Sequence, residues 1–240
     1  MSNSPSIPEA NIRLETPQIH AYLAGPDVFY PDAVARGAEK KQKLSEVGII
    51  GHYPFDNELN KVKGESDRAF GLRIGKANEE MMLNCCKPNQ VGVILVNMTP
   101  WHGPSTDVGT AFEAGFMSAL AQTNPHVVIV GYYEDKKVTR SFFERCKAFF
   151  KQQIATITNE HGDTHYTDPH GNTLENFGGL EDNLMICNAI EKTGGKVCSS
   201  FEEAITFAKE LAVAKQSNIR QESLAREHVT QPVNAIEMAG

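Results

Sequence analysis

The chain has 240 residues, of which 40% are hydrophobic and 22% are charged, and its formal net charge is −7. This balance is typical of one globular domain with a sizeable core, and it excludes a repeat array or a disordered protein. The 23 Lys and Arg residues form no basic block. That argues against a nucleic acid polymer as a partner, because affinity for phosphate needs clustered positive charge.

The amino-terminal segment and the cysteines point to a cytoplasmic protein. Residues 1–17 are polar and contain proline without an apolar stretch, so we expect a flexible leader rather than a signal peptide. No run approaches the about 18 apolar residues of a membrane span, which predicts a protein without a membrane partner. The 5 cysteines lack paired Cys-x-x-Cys spacing, so we expect reduced thiols and neither a disulfide framework nor a zinc knuckle.

From residue 18 onward the sequence predicts strands and helices in alternation. Short apolar runs indicate buried strands, and longer segments with apolar residues three or four positions apart indicate helices. The predicted elements are, in chain order, a strand at 19–24, a helix at 31–47, a strand at 49–53, a helix at 66–86, a strand at 91–96, a helix from about 105 to 120, a strand at 126–132, a helix at 139–154, a helix at 183–193, a strand at 196–198 and a helix from 200 to about 215.

This alternation predicts a single α/β domain over residues 18–215, with a mostly parallel sheet of the flavodoxin-like or Rossmann-like kind and helices on both faces. Two segments lack the pattern. Residues 158–179 are polar and rich in glycine, so we expect a long loop, which in compact enzymes is usually a lid, a binding loop or an interface arm. Residues 216–240 are polar and weakly patterned, so we expect a peripheral tail.

The strand-to-helix junction at residues 97–116 is the most informative segment. It carries two carboxylates, Asp107 near the helix start and Glu113 within the helix. In open α/β sheets, ligands bind beyond the carboxyl ends of the strands, where this junction lies. One apolar stripe of the helix is predicted to pack on the sheet, and it consists of Val108, Ala111, Phe112, Gly115, Phe116, Ala119 and Leu120.

Helical phase separates Glu113 from the centre of that stripe by about 120° and leaves it beside Gly109, Thr110 and Met117. No Lys or Arg occurs between residues 108 and 120, whereas a solvated helix face normally carries charges of both signs. Two interpretations stay open. Either Asp107 is an N-cap and Glu113 a surface carboxylate, or the small neighbours leave room for a ligand beside a carboxylate that keeps its nucleophilicity.

Four ordered segments of the chain resemble the nucleoside 2-deoxyribosyltransferase family. They are Tyr22–Phe29, Tyr53–Asn57, Asn97–Gly115 and Asn183–Met185. Their spread over residues 19–186 makes the resemblance specific, whereas the spacing of the two carboxylates alone is a weak signal. The resemblance implies an enzyme that exchanges the nucleobase of a 2′-deoxynucleoside for a free nucleobase and needs no cofactor.

The resemblance implies a role for each member of a catalytic set. Glu113 would attack C1′ of the deoxyribose as the first base leaves, and a second base would then attack the covalent glycosyl-enzyme. Two displacements preserve the β configuration, as in the retaining glycosidase scheme with a nucleobase in place of water. Asp107 would contact the sugar or handle a proton, and Tyr22 would hydrogen-bond Glu113 and orient it.

The resemblance also implies substrate contacts. Phe29 would line the pocket for the base or the sugar, although an aromatic at that place is otherwise more often core. Asp56, Asn57 and Glu58 would face the edge of the nucleobase, and the family often has an amide where Glu58 falls, which leaves base preference open. The glycines of the same motifs are also taken as substrate-binding, and these are Gly25 and Gly109.

Two further positions depend on looser matches. Asn78 is the best match to a polar site residue on the helix before the third strand, and Asn84 competes with it because residues 87–90 look like an insertion. Asn183 and Met185 would come from a neighbouring subunit, to the sugar 5′-hydroxyl and the pocket wall. The resemblance therefore implies a homo-oligomer, a dimer or a hexamer.

Alternative functions keep part of this site. A nucleoside 5′-monophosphate N-glycosidase would use the same nucleophile with water as acceptor, and a non-catalytic module would only bind nucleosides. His161, His165 and His170 do not have the spacing of a standard metal site, so we predict no metal. Trp101 either covers the site or anchors packing.

Overall fold

The computed structural model describes residues 16–135, 137–174 and 176–230. Its strands are β1 (Gln18–Ala24), β2 (Ile50–His52), β3 (Gln90–Asn97), β4 (Val127–Tyr132), β5 (Ala155–Thr158), β6 (Thr164–Thr167), β7 (Thr173–Leu174) and β8 (Val197–Cys198). Its helices are α1 (Ala33–Glu46), α2 (Asp67–Asn84), α3 (Val108–Leu120), α4 (Phe142–Phe149), α5 (Leu184–Glu191) and α6 (Phe201–Thr230).

Five of the strands form one parallel sheet in the order β2-β1-β3-β4-β8. Side chains alternate between its two faces, as the strand geometry requires. Ile19, Ala21 and Leu23 of β1 lie in a core with α1 and α6, whereas Tyr22 and Ala24 lie in a second core with α2, α3 and α5. The prediction of a mostly parallel α/β sheet with helices on both faces is confirmed.

The strand order places a topological switch point between β1 and β3. The chain runs outward from β1 to β2 and then returns past β1 to β3, so the connections diverge on the two sides of this pair. In doubly wound sheets a crevice opens there at the carboxyl ends of the strands, and ligands bind in it. In this chain those ends are Ala24 and Asn97.

The expectation of a long loop at residues 158–179 is wrong. Strands β5, β6 and β7 form a small antiparallel sheet there. Its turns are closed by Asn159 and Asp168, because the side-chain oxygen of each accepts the backbone N–H groups two and four residues further on. The strands are polar and the turns rich in glycine, so the segment lacked the apolar pattern from which strands are predicted.

The expectation of a peripheral tail from residue 216 is also wrong for the described part. Helix α6 does not end near residue 215 but continues to Thr230. Ile219 is 5% exposed and packs in the core on one face of the sheet. This apolar contact holds the helix to the domain, and it was not predicted because the surrounding residues are mostly polar. Residues 231–240 and nearly all of the predicted leader, residues 1–15, lie outside the described residues.

The cysteines agree with the prediction of reduced thiols, since all five are buried as thiols. None of the helices in the described part of the chain has the length and hydropathy of a membrane span.

Candidate active site

A hydrogen bond between β1 and α3 forms the centre of the site. The hydroxyl of Tyr22 donates to Oε1 of Glu113 over 2.6 Å. Tyr22 is fully buried because it is one of the β1 residues that face α3, and Glu113 is half-buried on α3. The hydrogen bond expected from the resemblance is therefore present, next to the switch point of the sheet.

The environment of Glu113 keeps its carboxylate basic. Burial raises the pKa of Glu113 to about 7, the hydrogen bond from Tyr22 opposes this shift, and the charge of Asp107 adds to it. Burial and the nearby carboxylate also raise the pKa of Tyr22, so that side chain is a neutral phenol that donates. Among the described residues, the side chains that shift the pKa of Glu113 are those of Tyr22 and Asp107, and neither is a cation.

Asp107 is the N-cap of α3, as the first of the two interpretations predicted. Its Oδ2 accepts from the backbone N–H of Thr110 over 2.9 Å and from the hydroxyl of the same residue over 3.1 Å. A side chain at Gly109 would put its Cβ 3.0 Å from that oxygen, so the glycine leaves room for the cap. Asp107 also lines the cavity described below, so the two interpretations of this residue are compatible.

The apolar stripe of α3 faces the opposite way from the prediction. Val108 is 85% exposed and Phe112 56% exposed, whereas the buried face consists of Thr110, Ala114, Met117 and Ser118. Periodicity finds a stripe but does not tell which neighbour covers it, and small residues are packed against the sheet here. Glu113 borders this buried face, which explains the burial of a carboxylate that the sequence placed on an open flank.

An aromatic cavity opens beside Asp107. Phe29 is 59% exposed and stacks on Trp101, with ring centroids 5.5 Å apart. These rings line an open cavity of about 450 Å³ together with His102, Thr106, Asp107 and Val108. Phe29 is therefore a cavity residue and not an ordinary core aromatic, and Trp101 both packs on it and lines the cavity.

Gly25 lies where β1 and β3 end side by side. A Cβ at this position would lie 2.6 Å from Cβ of Asn97, so a larger residue does not fit without displacement. The next charged residue, Asp27, is buried and accepts from Nζ of Lys40 over 2.7 Å and from Nδ2 of Asn97 over 3.0 Å. The sequence does not reveal this buried ion pair, because the helical pattern of α1 does not show that Lys40 points inward.

The three residues predicted to contact the base, Asp56, Asn57 and Glu58, follow β2 and have different surroundings. The side chain of Asp56, an exposed residue, accepts the backbone N–H of Tyr53 and pairs with Lys41. Asn57 donates from Nδ2 to Oδ1 of Asn78 over 3.0 Å.

The contact with Asn57 distinguishes Asn78 from its competitor Asn84, which is exposed at the end of α2. Glu58, the residue after Asn57, is exposed, and its backbone lies in the left-handed region with φ 47°. Non-glycine residues adopt that conformation at a cost in free energy, and they are enriched at functional sites.

Asn183 and Met185 do not reach Glu113 of the same chain. Asn183 caps α5 by accepting the backbone N–H of Met185, whose side chain is 67% exposed. Both residues line a groove of about 520 Å³ between α3 and α5 together with Ala111 and Gly115. At about 100° per residue these two positions of α3 lie about 160° from Glu113, so the groove is on the opposite flank of the helix.

The histidines of the antiparallel sheet form no recognisable metal site. Within the described ranges, no three His, Cys, Asp or Glu side chains are grouped as metal ligands are.

Comparison with known proteins relates the chain to one family. Residues 21–185 match the family model of nucleoside 2-deoxyribosyltransferase. The chain is similar to an uncharacterised protein of Schizosaccharomyces pombe, with 28% identity over 204 residues that cover 82% of this chain and 90% of the other. It is also similar to the solved structure of a 2-desoxiribosyltransferase from Leishmania mexicana, with 26% identity, a TM-score of 0.55, and coverage of 80% of this chain and 97% of the other.

Proposed function

The chain belongs to the nucleoside 2-deoxyribosyltransferase family, and we propose that it exchanges the nucleobase of 2′-deoxynucleosides by two displacements at Glu113. The observation that carries this proposal is the hydrogen bond of 2.6 Å from Tyr22 to Glu113 at the switch point of the sheet. A buried carboxylate oriented by a neutral donor has the chemistry of a nucleophile.

In the first displacement an oxygen of Glu113 forms a bond to C1′ while the bond from C1′ to the base nitrogen breaks. The electron pair of that bond leaves with the base, which takes a proton. In the second displacement a nitrogen of the entering base attacks C1′, the ester bond to Glu113 breaks, and the entering base loses a proton. Each step inverts C1′, so the product has the configuration of the substrate.

Tyr22, which contacts Glu113, and the residues that line the aromatic cavity at Asp107 suit this reaction. Tyr22 orients the carboxylate without neutralising it, because a phenol of raised pKa donates a hydrogen bond but carries no charge. Asp107 takes the sugar-contact or proton role, since it lies at the helix start and lines the aromatic cavity. Phe29 and Trp101 offer ring faces for a nucleobase, and stacking of a base on an aromatic ring is favourable for every base.

The proposal includes a homo-oligomer, a dimer or a hexamer, in which Asn183 and Met185 complete the site of a neighbour. Their groove lies on the far flank of α3 from Glu113 of the same chain. The exposed side chains of Val108, Phe112 and Met185 are apolar, and an apolar surface of this kind is typical of a contact between subunits.

Base exchange itself is the test of the proposed function. The protein is incubated with deoxyinosine and free adenine, and the products are separated. We expect deoxyadenosine and hypoxanthine in equal amounts. Free deoxyribose with hypoxanthine would indicate a hydrolase instead, and unchanged substrates would indicate a binding module.

A matched pair of variants ties the activity to the nucleophile. Glu113→Ala is expected to lower exchange by about 10³-fold or more, because the covalent route is removed. Glu80→Ala changes an exposed glutamate on α2 and is expected to leave exchange unchanged. Near-normal exchange by Glu113→Ala would contradict the proposal.

Mixed oligomers test the shared site. Glu113→Ala and Asn183→Ala are each expected to be nearly inactive alone. After their subunits are exchanged, a mixed pair contains one site with Glu113 from one chain and Asn183 from the other, so a random mixture of dimers regains about a quarter of wild-type activity. Absence of recovery in a verified mixture would contradict the contribution of Asn183 to a neighbour.

A further inference from the structure

A buried ion pair that the proposed reaction does not use contacts the segment before α3, the helix that carries Glu113. Arg145 on α4 and Asp182 before α5 approach to 3.2 Å, with side chains 7% and 0% exposed. All parts of the guanidinium are engaged. Its acceptors are the carbonyl oxygens of Pro104, Thr139, Arg140 and Glu181, the hydroxyl of Tyr133 and the carboxylate of Asp182.

The Asp182 carboxylate joins two functional segments. On one side, its oxygens accept from the hydroxyl of Ser105 over 2.6 Å and from the backbone N–H of Thr106 over 2.9 Å. On the other side, it accepts from the backbone N–H of Asn183 over 2.8 Å. The first two contacts lie immediately before Asp107, and the third holds the N-cap residue of α5.

The segment before α3 depends on such contacts for its position. Residues 98–107 contain no strand or helix, so their backbone groups have few partners of their own. Arg145 holds the carbonyl of Pro104, and Asp182 holds the next two residues. A shift at Thr106 passes directly to Asp107 and through the rigid helix to Glu113, whereas Tyr22 stays fixed on β1.

We propose that Asp182, held by Arg145, is a positioning residue for the transfer reaction. It fixes the start of α3 and thereby the position of the Glu113 carboxylate between the hydroxyl of Tyr22 and C1′ of the substrate. The planar guanidinium suits this role because its donors form a rigid fork that a lysine does not offer. This inference rests on the proposed function.

The variants separate positioning from general stability. Asp182→Asn puts an NH2 group in place of Oδ2, where it faces the donors of both Thr106 and Arg145, or in place of Oδ1, where it faces the backbone N–H of Asn183. Ser105→Ala removes one hydrogen bond but keeps the ion pair. The control is Glu181→Gln, the neighbouring acid, whose carboxylate pairs with Arg140 nearer the surface. Both changes from acid to amide keep the shape of the side chain.

The kinetic expectation is a loss in kcat with little change in KM. Per folded enzyme, kcat falls about 10-fold in Ser105→Ala and about 10²-fold in Asp182→Asn, because a displaced nucleophile lowers the rate of chemistry more than binding. Glu181→Gln keeps the wild-type kcat. If Asp182→Asn does not fold, Ser105→Ala carries the test. Folded variants with wild-type kcat, or a loss that appears only in KM, would overturn the proposal.

Amide hydrogen exchange gives a readout that does not need turnover. Peptides that contain residues 104–112 are expected to exchange faster in Ser105→Ala and Asp182→Asn than in wild type or Glu181→Gln. Unchanged exchange in this segment would overturn the positioning role. Wild-type protein that transfers no base would instead contradict the proposed function, and the exchange measurement would still decide whether Asp182 fixes the helix start.

Discussion

Two carboxylates near the end of β1, the buried Asp27 and the half-buried Glu113, have different partners. Asp27 is 3% exposed and pairs with the ammonium of Lys40 at 2.7 Å. Glu113 receives a hydrogen bond from the phenol of Tyr22, and its other close titratable neighbour is Asp107, a second acid. One carboxylate is therefore charge-compensated, and the other is not.

The difference separates stability from chemistry. A buried carboxylate with a cation and an amide has its charge and its hydrogen bonds satisfied, so removal of one partner destabilises the fold. A buried carboxylate without a cation is held at a cost in free energy, which appears as its raised pKa, and it gains by forming a bond to an electrophilic carbon. Three substitutions test this contrast.

Lys40→Met leaves Asp27 buried without its nearest cation, while the guanidinium of Arg36 stays 3.9 Å away. We expect the free energy of unfolding to fall by about 3–5 kcal/mol, because breaking a buried pair leaves a charge that the more distant guanidinium compensates only in part. Urea denaturation measures this change. Lys43→Met removes exposed ion pairs of the same helix and is expected to change stability by about 0.5 kcal/mol at most. A loss below about 1 kcal/mol in Lys40→Met would contradict the stabilising role of the pair between Lys40 and Asp27.

Tyr22→Phe removes the hydrogen bond that favours the ionised form of Glu113. The pKa of Glu113 then rises further above about 7, so the carboxylate is protonated over a wider range and the profile of transfer against pH moves to higher pH. A hydrogen bond to a charged group contributes about 1.5–3 kcal/mol, which predicts a loss of about 10–100-fold at pH 6 and a smaller one at pH 9. A profile that moves to lower pH, or does not move, would contradict this assignment.

Glu113→Gln is expected to stabilise the protein while it inactivates it. The folded pKa of Glu113, about 7, lies above its unfolded value near 4.5, so the folded protein holds a proton that the unfolded chain releases, and wild-type stability declines as the pH rises between these values. The glutamine has no such charge, so the variant gains about 1–3 kcal/mol at pH 8 and nothing at pH 4.5. Thermal unfolding at the two pH values measures the difference. Equal stability at pH 8 would mean that Glu113 is not strained by burial.

The sequence predicted the sheet because its strands are almost continuously apolar, as in β3. It also predicted that Tyr22 and Glu113 come together, because the resemblance brought residues 91 positions apart into one site. Neither periodicity nor resemblance predicted the outward stripe of α3. The face of an amphipathic helix that packs on the sheet depends on what surrounds it, and here Val108 and Phe112 lie on the open side.

Other features were missed because their stabilising contacts are polar. The turns that join β5, β6 and β7 are closed by the side chains of Asn159 and Asp168. A pattern of apolar residues does not reveal such contacts. The same holds for Arg145 and Asp182, whose pairing joins segments that are 37 residues apart.

Detection of the covalent intermediate tests the double displacement at Glu113. The protein is incubated with deoxyinosine without an acceptor base, quenched and digested, and the masses of its peptides are measured by mass spectrometry. We expect one deoxyribosyl group on the peptide that contains Glu113. The group is expected to be lost, with formation of deoxyadenosine, when adenine is added before the quench, and to be absent in Glu113→Gln. Base exchange that proceeds without this adduct, or with the adduct on another residue, would contradict the proposed mechanism.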